Sequence, residues 1–170
     1  PENMKKIIKN KNGYAILELL FYISFFTVLA LVVVSAMVTM TRSFRETSII
    51  AEWQQGANVM ERISREIKQA TSIASLSAAD LILNTKDNSD VDKTMEFKFV
   101  SPNVQFWDNG ASVGNLNSPG ITVTSLVFTS ITTLKSKAVK MVMTIRSNND
   151  KSNRTVDFYD TIVLRGSYQP

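Results

Sequence analysis

The stretch Leu19–Met40, LLFYISFFTVLALVVVSAMVTM, contains no charge, no proline and no glycine. At 1.5 Å per residue its roughly 22 residues form a helix of roughly 33 Å, enough to cross the hydrocarbon of a bilayer. A chain of 170 residues has room for one modest domain beside such an anchor, but hardly for two hydrophobic cores. Lys5, Lys6, Lys9 and Lys11 precede the run, whereas the mixed set Arg42, Arg45 and Glu46 follows it. The positive-inside bias therefore puts the N-terminus in the cytoplasm and the rest outside.

The same lysines account for most of the net charge. Four of them against Glu2 supply +3 of the chain's +4, so the sequence after Gly13 is nearly neutral. That body has no electrostatic footprint for a phosphate backbone, and no nucleic-acid partner is expected. Cysteine and histidine are both absent. Disulfides, thiol chemistry, zinc sites and the commonest general base are thereby removed, and the expectation is a non-enzymatic protein with no cofactor.

A plain single-span anchor needs only the apolar run and the lysines. A cleaved secretory signal would use the small residues at Val34-Ser35-Ala36, but the run is long for a signal and continues past them. Neither reading uses Glu18, a carboxylate at the mouth of the span, where a charge is costly and normally has a partner. A side chain reaching to the interface, helped by the helix dipole, is the bland explanation.

Lys11-Asn12-Gly13 followed by Tyr14-Ala15-Ile16-Leu17-Glu18 and then the apolar run resembles the class III signal of type IV pilins and pseudopilins. Four features coincide: the basic leader, the glycine, the glutamate four residues after the first mature residue, and the long span. The resemblance implies that a prepilin peptidase cuts between Gly13 and Tyr14, removing a leader that starts naturally at Met4. It implies that the new Tyr14 amine is N-methylated. It also implies that Glu18 pairs with the Tyr14 amine of a neighbouring subunit, an assembly salt bridge in a low-dielectric filament core. Tyr14 stands where phenylalanine or methionine is commoner, and Ala15 where threonine is frequent. The kinking proline of major pilins has no counterpart, which points to a minor pilin or pseudopilin. Implied partners are the prepilin peptidase, an inner-membrane assembly platform and other pilin-like subunits, in a type IV pilus, a type II secretion system or a competence pseudopilus. The implied location is the bacterial cytoplasmic membrane, with the C-terminal domain exported. The runner-up is a single-pass anchored binding domain that never polymerises.

Beyond the span, Ile49, Ile50, Trp53, Ala57, Met60, Ile63 and Ile67 recur at spacings of three and four, predicting an amphipathic helix to about Ala70. Glu61 with Arg65, and Arg62 with Glu66, are expected as i,i+4 pairs on its outer side. Gly56 marks a bend or a close contact. The stretch AEWQQGANVMERISREIKQATSI is loosely similar to the corresponding region of J-type minor pseudopilins.

From about Ser72 the composition shifts to Ser, Thr, Asn and Asp with short β-rich runs. Leu81–Thr85, Thr94–Phe106, Ile121–Thr133, Ala138–Arg146 and Thr155–Leu164 read as strands, with turns at 87–90, 108–110, 118–120 and 147–150. The expected fold is α+β: a long N-terminal helix, half transmembrane and half amphipathic, packed on an antiparallel sheet as in pilins. The expected segments are a leader (1–13), a transmembrane assembly helix (14–41), its amphipathic continuation (42–72) and a β-rich exported domain (73–170).

No metal is expected, although Asp87, Asp90 and Asp92 crowd one loop as weak calcium candidates; their spacing lacks the glycine and distal glutamate of an EF-hand. Lys135, Lys137 and Lys140 are expected to keep a sheet edge soluble rather than to bind DNA. Phe106 and Trp107 are expected against the helix stripe.

Overall fold

The computed structural model describes residues 12–133 and 136–167, and the chain divides into two compact units between Phe44 and Arg45. The fold is α+β, as expected. One helix, α1 (Asn12–Gln69), supplies all of the first unit's described structure and the first element of the second.

In the first unit every described side chain from Tyr14 to Phe44 is exposed apart from the half-buried Ala30. A helix is the one local structure that pairs its own backbone without water or neighbours, which is what a segment in hydrocarbon requires. Its hydroxyls follow the same logic: Ser24, Thr27, Thr39 and Thr41 each donate to the carbonyl four residues back, at 2.8–3.0 Å. This helix is long and apolar enough to cross a membrane, with a mean hydropathy of 2.5 over its most apolar window.

In the second unit, residues 45–69 of α1 pack against two antiparallel meanders. The first sheet runs β1 (Ser72–Leu76), β2 (Asp80–Lys86), β3 (Asp92–Val100), β4 (Asn103–Asp108) and β5 (Ala111–Asn115). The second runs β6 (Ile121–Thr132), β7 (Lys137–Ser147) and β8 (Thr155–Val163). Alternation sets the inner faces: Leu81 and Leu83 of β2, Met95 and Phe97 of β3, Val104 and Phe106 of β4, and Val139, Met141, Met143 and Ile145 of β7 join one core with Val59, Met60, Ile63 and Ile67. The Phe97 and Phe106 rings stack at 5.3 Å.

The two sheets are joined where the Phe128 amide donates to Ala78 O and the Val123 amide to Pro102 O, both at 3.0 Å. Asn117, nearly buried, completes the seam: its Oδ1 accepts from the Val104 amide at 2.9 Å, and its Nδ2 donates to Ile121 O at 3.1 Å. A buried amide with both ends satisfied costs little and fixes one arrangement of the chain.

Several expectations change. There are two sheets rather than one. The run Thr94–Phe106 is a hairpin, β3 and β4, that reverses at Ser101-Pro102; proline has no amide to give a ladder, and sequence periodicity ran straight through it. The strands β1 and β5 went unanticipated, because SIASL and ASVGN are short, with exposed residues and little apolar alternation. Lys137 and Lys140 lie on β7, which is the central strand of its sheet and not an edge; Lys135 falls outside the described residues. Ile50, placed in the apolar stripe, is 59% exposed, and Glu52 takes its place on the buried face at 8%.

Gly56 is a close contact, not a bend. A methyl there would overlap Ile145 Cδ1 on β7. The lack of a side chain lets the helix backbone settle onto β7.

Candidate functional site

Gly13 lies in the first turn of α1, Tyr14 follows at 78% exposure, and Glu18 is exposed one turn further on. The lysines Lys5, Lys6, Lys9 and Lys11 fall outside the described residues. Tyr14, Glu18 and Tyr22 are spaced by four and share one helix face. Tyr22 Oη donates to Glu18 Oε1 at 3.2 Å, a contact that nothing in the pattern of the apolar run signals. No other described side chain hydrogen-bonds to Glu18. The hydroxyls next along the helix, Ser24 and Thr27, are committed to their own backbone.

The arrangement is one anion at the threshold of an unbroken apolar rod. It has no counter-ion within 4 Å among the described residues, and of the described side chains that follow it only the Tyr22 hydroxyl hydrogen-bonds to it. Such a carboxylate attracts a cation strongly once water is excluded, because the attraction grows as the effective dielectric falls.

Several polar side chains in the second unit hold structure. Glu52 accepts from Ser147 Oγ and from Asn149 Nδ2, the latter at 2.5 Å, so this buried carboxylate clasps the β7–β8 loop to the helix. Gly120 leaves it space, since a Cβ there would sit 2.8 Å from Glu52 Oε1. Arg154 reinforces the clasp: Nη2 reaches both Glu46 oxygens at 3.1 Å, Nε reaches Asp150 Oδ2 at 2.8 Å, and the guanidinium lies 5.5 Å from the Trp53 ring centroid. The hydrogen bond from Arg154 holds the Asp150 carboxyl below its ordinary value, assisted by the Ser152 and Arg154 amides and opposed by burial.

The weak calcium candidates are arranged as a turn between β2 and β3. Asp87 Oδ1 accepts from the amides of Ser89 and Val91 at 2.7 and 2.9 Å. Asp90, at a φ of 63°, binds Lys86 Nζ at 2.9 Å, and that hydrogen bond together with the charge of Asp90 raises the lysine above its ordinary value. Asp92 opens β3. Among the described residues no three acidic side chains converge as a metal site.

Of the expected pairs on the helix, Glu61 and Arg65 meet at 3.0 Å. Arg62 does not reach Glu66; its guanidinium lies 5.0 Å from the centroid of the Phe106 ring, where a cation gains from the π face. Phe106 is in the core against the helix as expected, but Trp107, its neighbour on β4, points to the other face of the sheet and is half-buried there. An open groove of about 370 Å³ between α1 and β8 is lined by Met60, Ser64, Arg65, Lys68, Tyr159 and Asp160, with Ser64 Oγ donating to Asp160 Oδ2 at 2.5 Å.

Compared with protein-family models, with curated proteins and with solved structures, the chain matches none of them.

Proposed function

We propose that this chain is a structural subunit of the type IV pilin and pseudopilin kind, of the minor class, and not an enzyme. A membrane peptidase trims it between Gly13 and Tyr14, and the apolar helix then enters a helical filament. The reading rests on one observation: Glu18 stands four residues after Tyr14, the first residue beyond the expected cut, exposed on the helix at the threshold of an uninterrupted apolar span. Removal of the basic leader leaves an amine on Tyr14, a cation at the end of the same rod. Each subunit then offers one anion and one cation at a fixed axial offset, and their pairing between neighbours sets the register of assembly. The second unit supplies a body outside the membrane, stitched to the helix by the Glu52 and Arg154 clasps. Before assembly the subunit sits in the cytoplasmic membrane as a single span with its N-terminus inside.

N-terminal sequencing and mass spectrometry of the protein extracted from its native membranes test this. The expected mature terminus is methylated Tyr14, and Gly13→Ala is expected to accumulate at full length in the membrane, because the glycine lets the backbone approach the peptidase's carboxylates. A native protein that retains its leader would overturn the proposal and favour an anchored, non-polymerising domain.

A further inference from the structure

The hydrogen bond between Tyr22 and Glu18 carries a consequence for how the acid is presented. In an α-helix the Cα–Cβ bonds tilt towards the N-terminus, so a long side chain at position i+4 covers the turn before its own Cα. Tyr22 therefore reaches back, and its hydroxyl arrives at the carboxylate from the apolar side. A phenylalanine there would leave that side of Glu18 facing only hydrocarbon. Tyr14, at the corresponding place one turn earlier, makes no hydrogen bond to Glu18. The ring also solves its own difficulty, since a phenol buried in lipid needs an acceptor. Oε1 accepts the Tyr22 hydroxyl, and Oε2 accepts no hydrogen bond from any described residue.

We infer that Tyr22 is a positioning residue for Glu18: its hydroxyl holds one carboxylate oxygen against the helix and leaves the other to receive the terminal amine of a second pilin-like subunit. This rests on the reading of Glu18 as an intersubunit partner. A carboxylate fixed in one rotamer loses less freedom when the cation arrives, so the incoming subunit meets a preorganised acceptor. The hydroxyl remains a donor afterwards, and the paired carboxylate then has a neutral and a charged partner on separate oxygens.

The test uses the full chain and Tyr22→Phe, which removes only the hydroxyl. In phosphatidylethanolamine and phosphatidylglycerol vesicles, the infrared difference between the parent and Glu18→Gln isolates the Glu18 carboxylate stretch. The Tyr22→Phe chain is expected to shift that band before any assembly takes place, a change that a merely space-filling role would not cause. In cells the variant is expected to be cleaved normally and to enter the sheared filament fraction about five- to tenfold less, as expected when the freed carboxylate must be ordered anew on assembly. An unshifted band, or undiminished incorporation beside a shifted one, overturns the role of Tyr22. Neither result touches the filament reading itself, which falls only if the parent chain keeps its leader.

Discussion

Replacing Gly56 by alanine sets two effects of known sign against each other. In a helix interior the change gains about 1 kcal/mol of propensity. The added methyl would overlap Ile145 Cδ1 and lie 3.3 Å from Phe158 Cε2. Ile145 is completely buried, so its terminal methyl must leave a favoured rotamer or the helix must lift from β7. Overpacking of that kind costs about 1–3 kcal/mol. The contact outweighs the propensity, and a net loss of about 1 kcal/mol is expected, or about 3–5 °C in Tm for a unit of this size. Thermal unfolding of the full chain in detergent measures it, followed by the fluorescence of Trp53 and Trp107, both in the second unit. Ile145→Val removes the offending methyl and by itself costs about 1 kcal/mol. In the double variant the alanine fills the space the valine vacates, so the two losses should fail to add by about 1–2 kcal/mol. A Gly56→Ala chain that melts several degrees higher, with strict additivity in the double variant, would refute the close approach of helix and strand.

Glu18→Ala is expected to be processed like the parent but to appear in filaments at less than about a tenth of its level, since leaving a buried charge unpaired costs about 3–5 kcal/mol; immunoblots of sheared and membrane fractions measure this, and parental incorporation would contradict the register role. Acid should release the β7–β8 loop. Asp150 has its pKa lowered by Arg154, so its contribution is complete above the ordinary value of 3.8 and is lost as pH falls through the lowered one. In a Trp107→Phe background, Trp53 emission should stay flat from neutral pH down to about 4 and change only below it, whereas Arg154→Ala should show the altered emission already at neutral pH. A transition centred above the ordinary carboxylate range would assign it to another group.

Local pattern carried the reading of the helix and of most strands. The period of three and four in Ile49, Met60, Ile63 and Ile67 found the buried face, and the alternation in Met95, Phe97, Val139, Met141, Met143 and Ile145 found the inner faces of β3 and β7. It failed where neighbours in space decide. Glu52 belongs on the buried face only because Ser147 and Asn149 arrive there from almost a hundred residues away. Arg62 left its i,i+4 partner for a ring supplied by β4. The expected site fared likewise. Gly13, Tyr14 and Glu18 stand out by spacing, whereas Tyr22 hides in an apolar run until its hydroxyl is seen to reach one turn back.

By itself the sequence determined what depends on chain-local chemistry: an apolar run long enough to cross a membrane as a helix, an acid at its threshold, and an α+β body patterned in periods of 3.6 and 2. Only the tertiary structure decided the division into two sheets, the reversal at Ser101-Pro102, the approach of Gly56 to Ile145 and the clasp of the β7–β8 loop by Glu52 and Arg154. Those arrangements are set by which surfaces meet across long loops, and periodicity within one segment is blind to a partner that another segment brings.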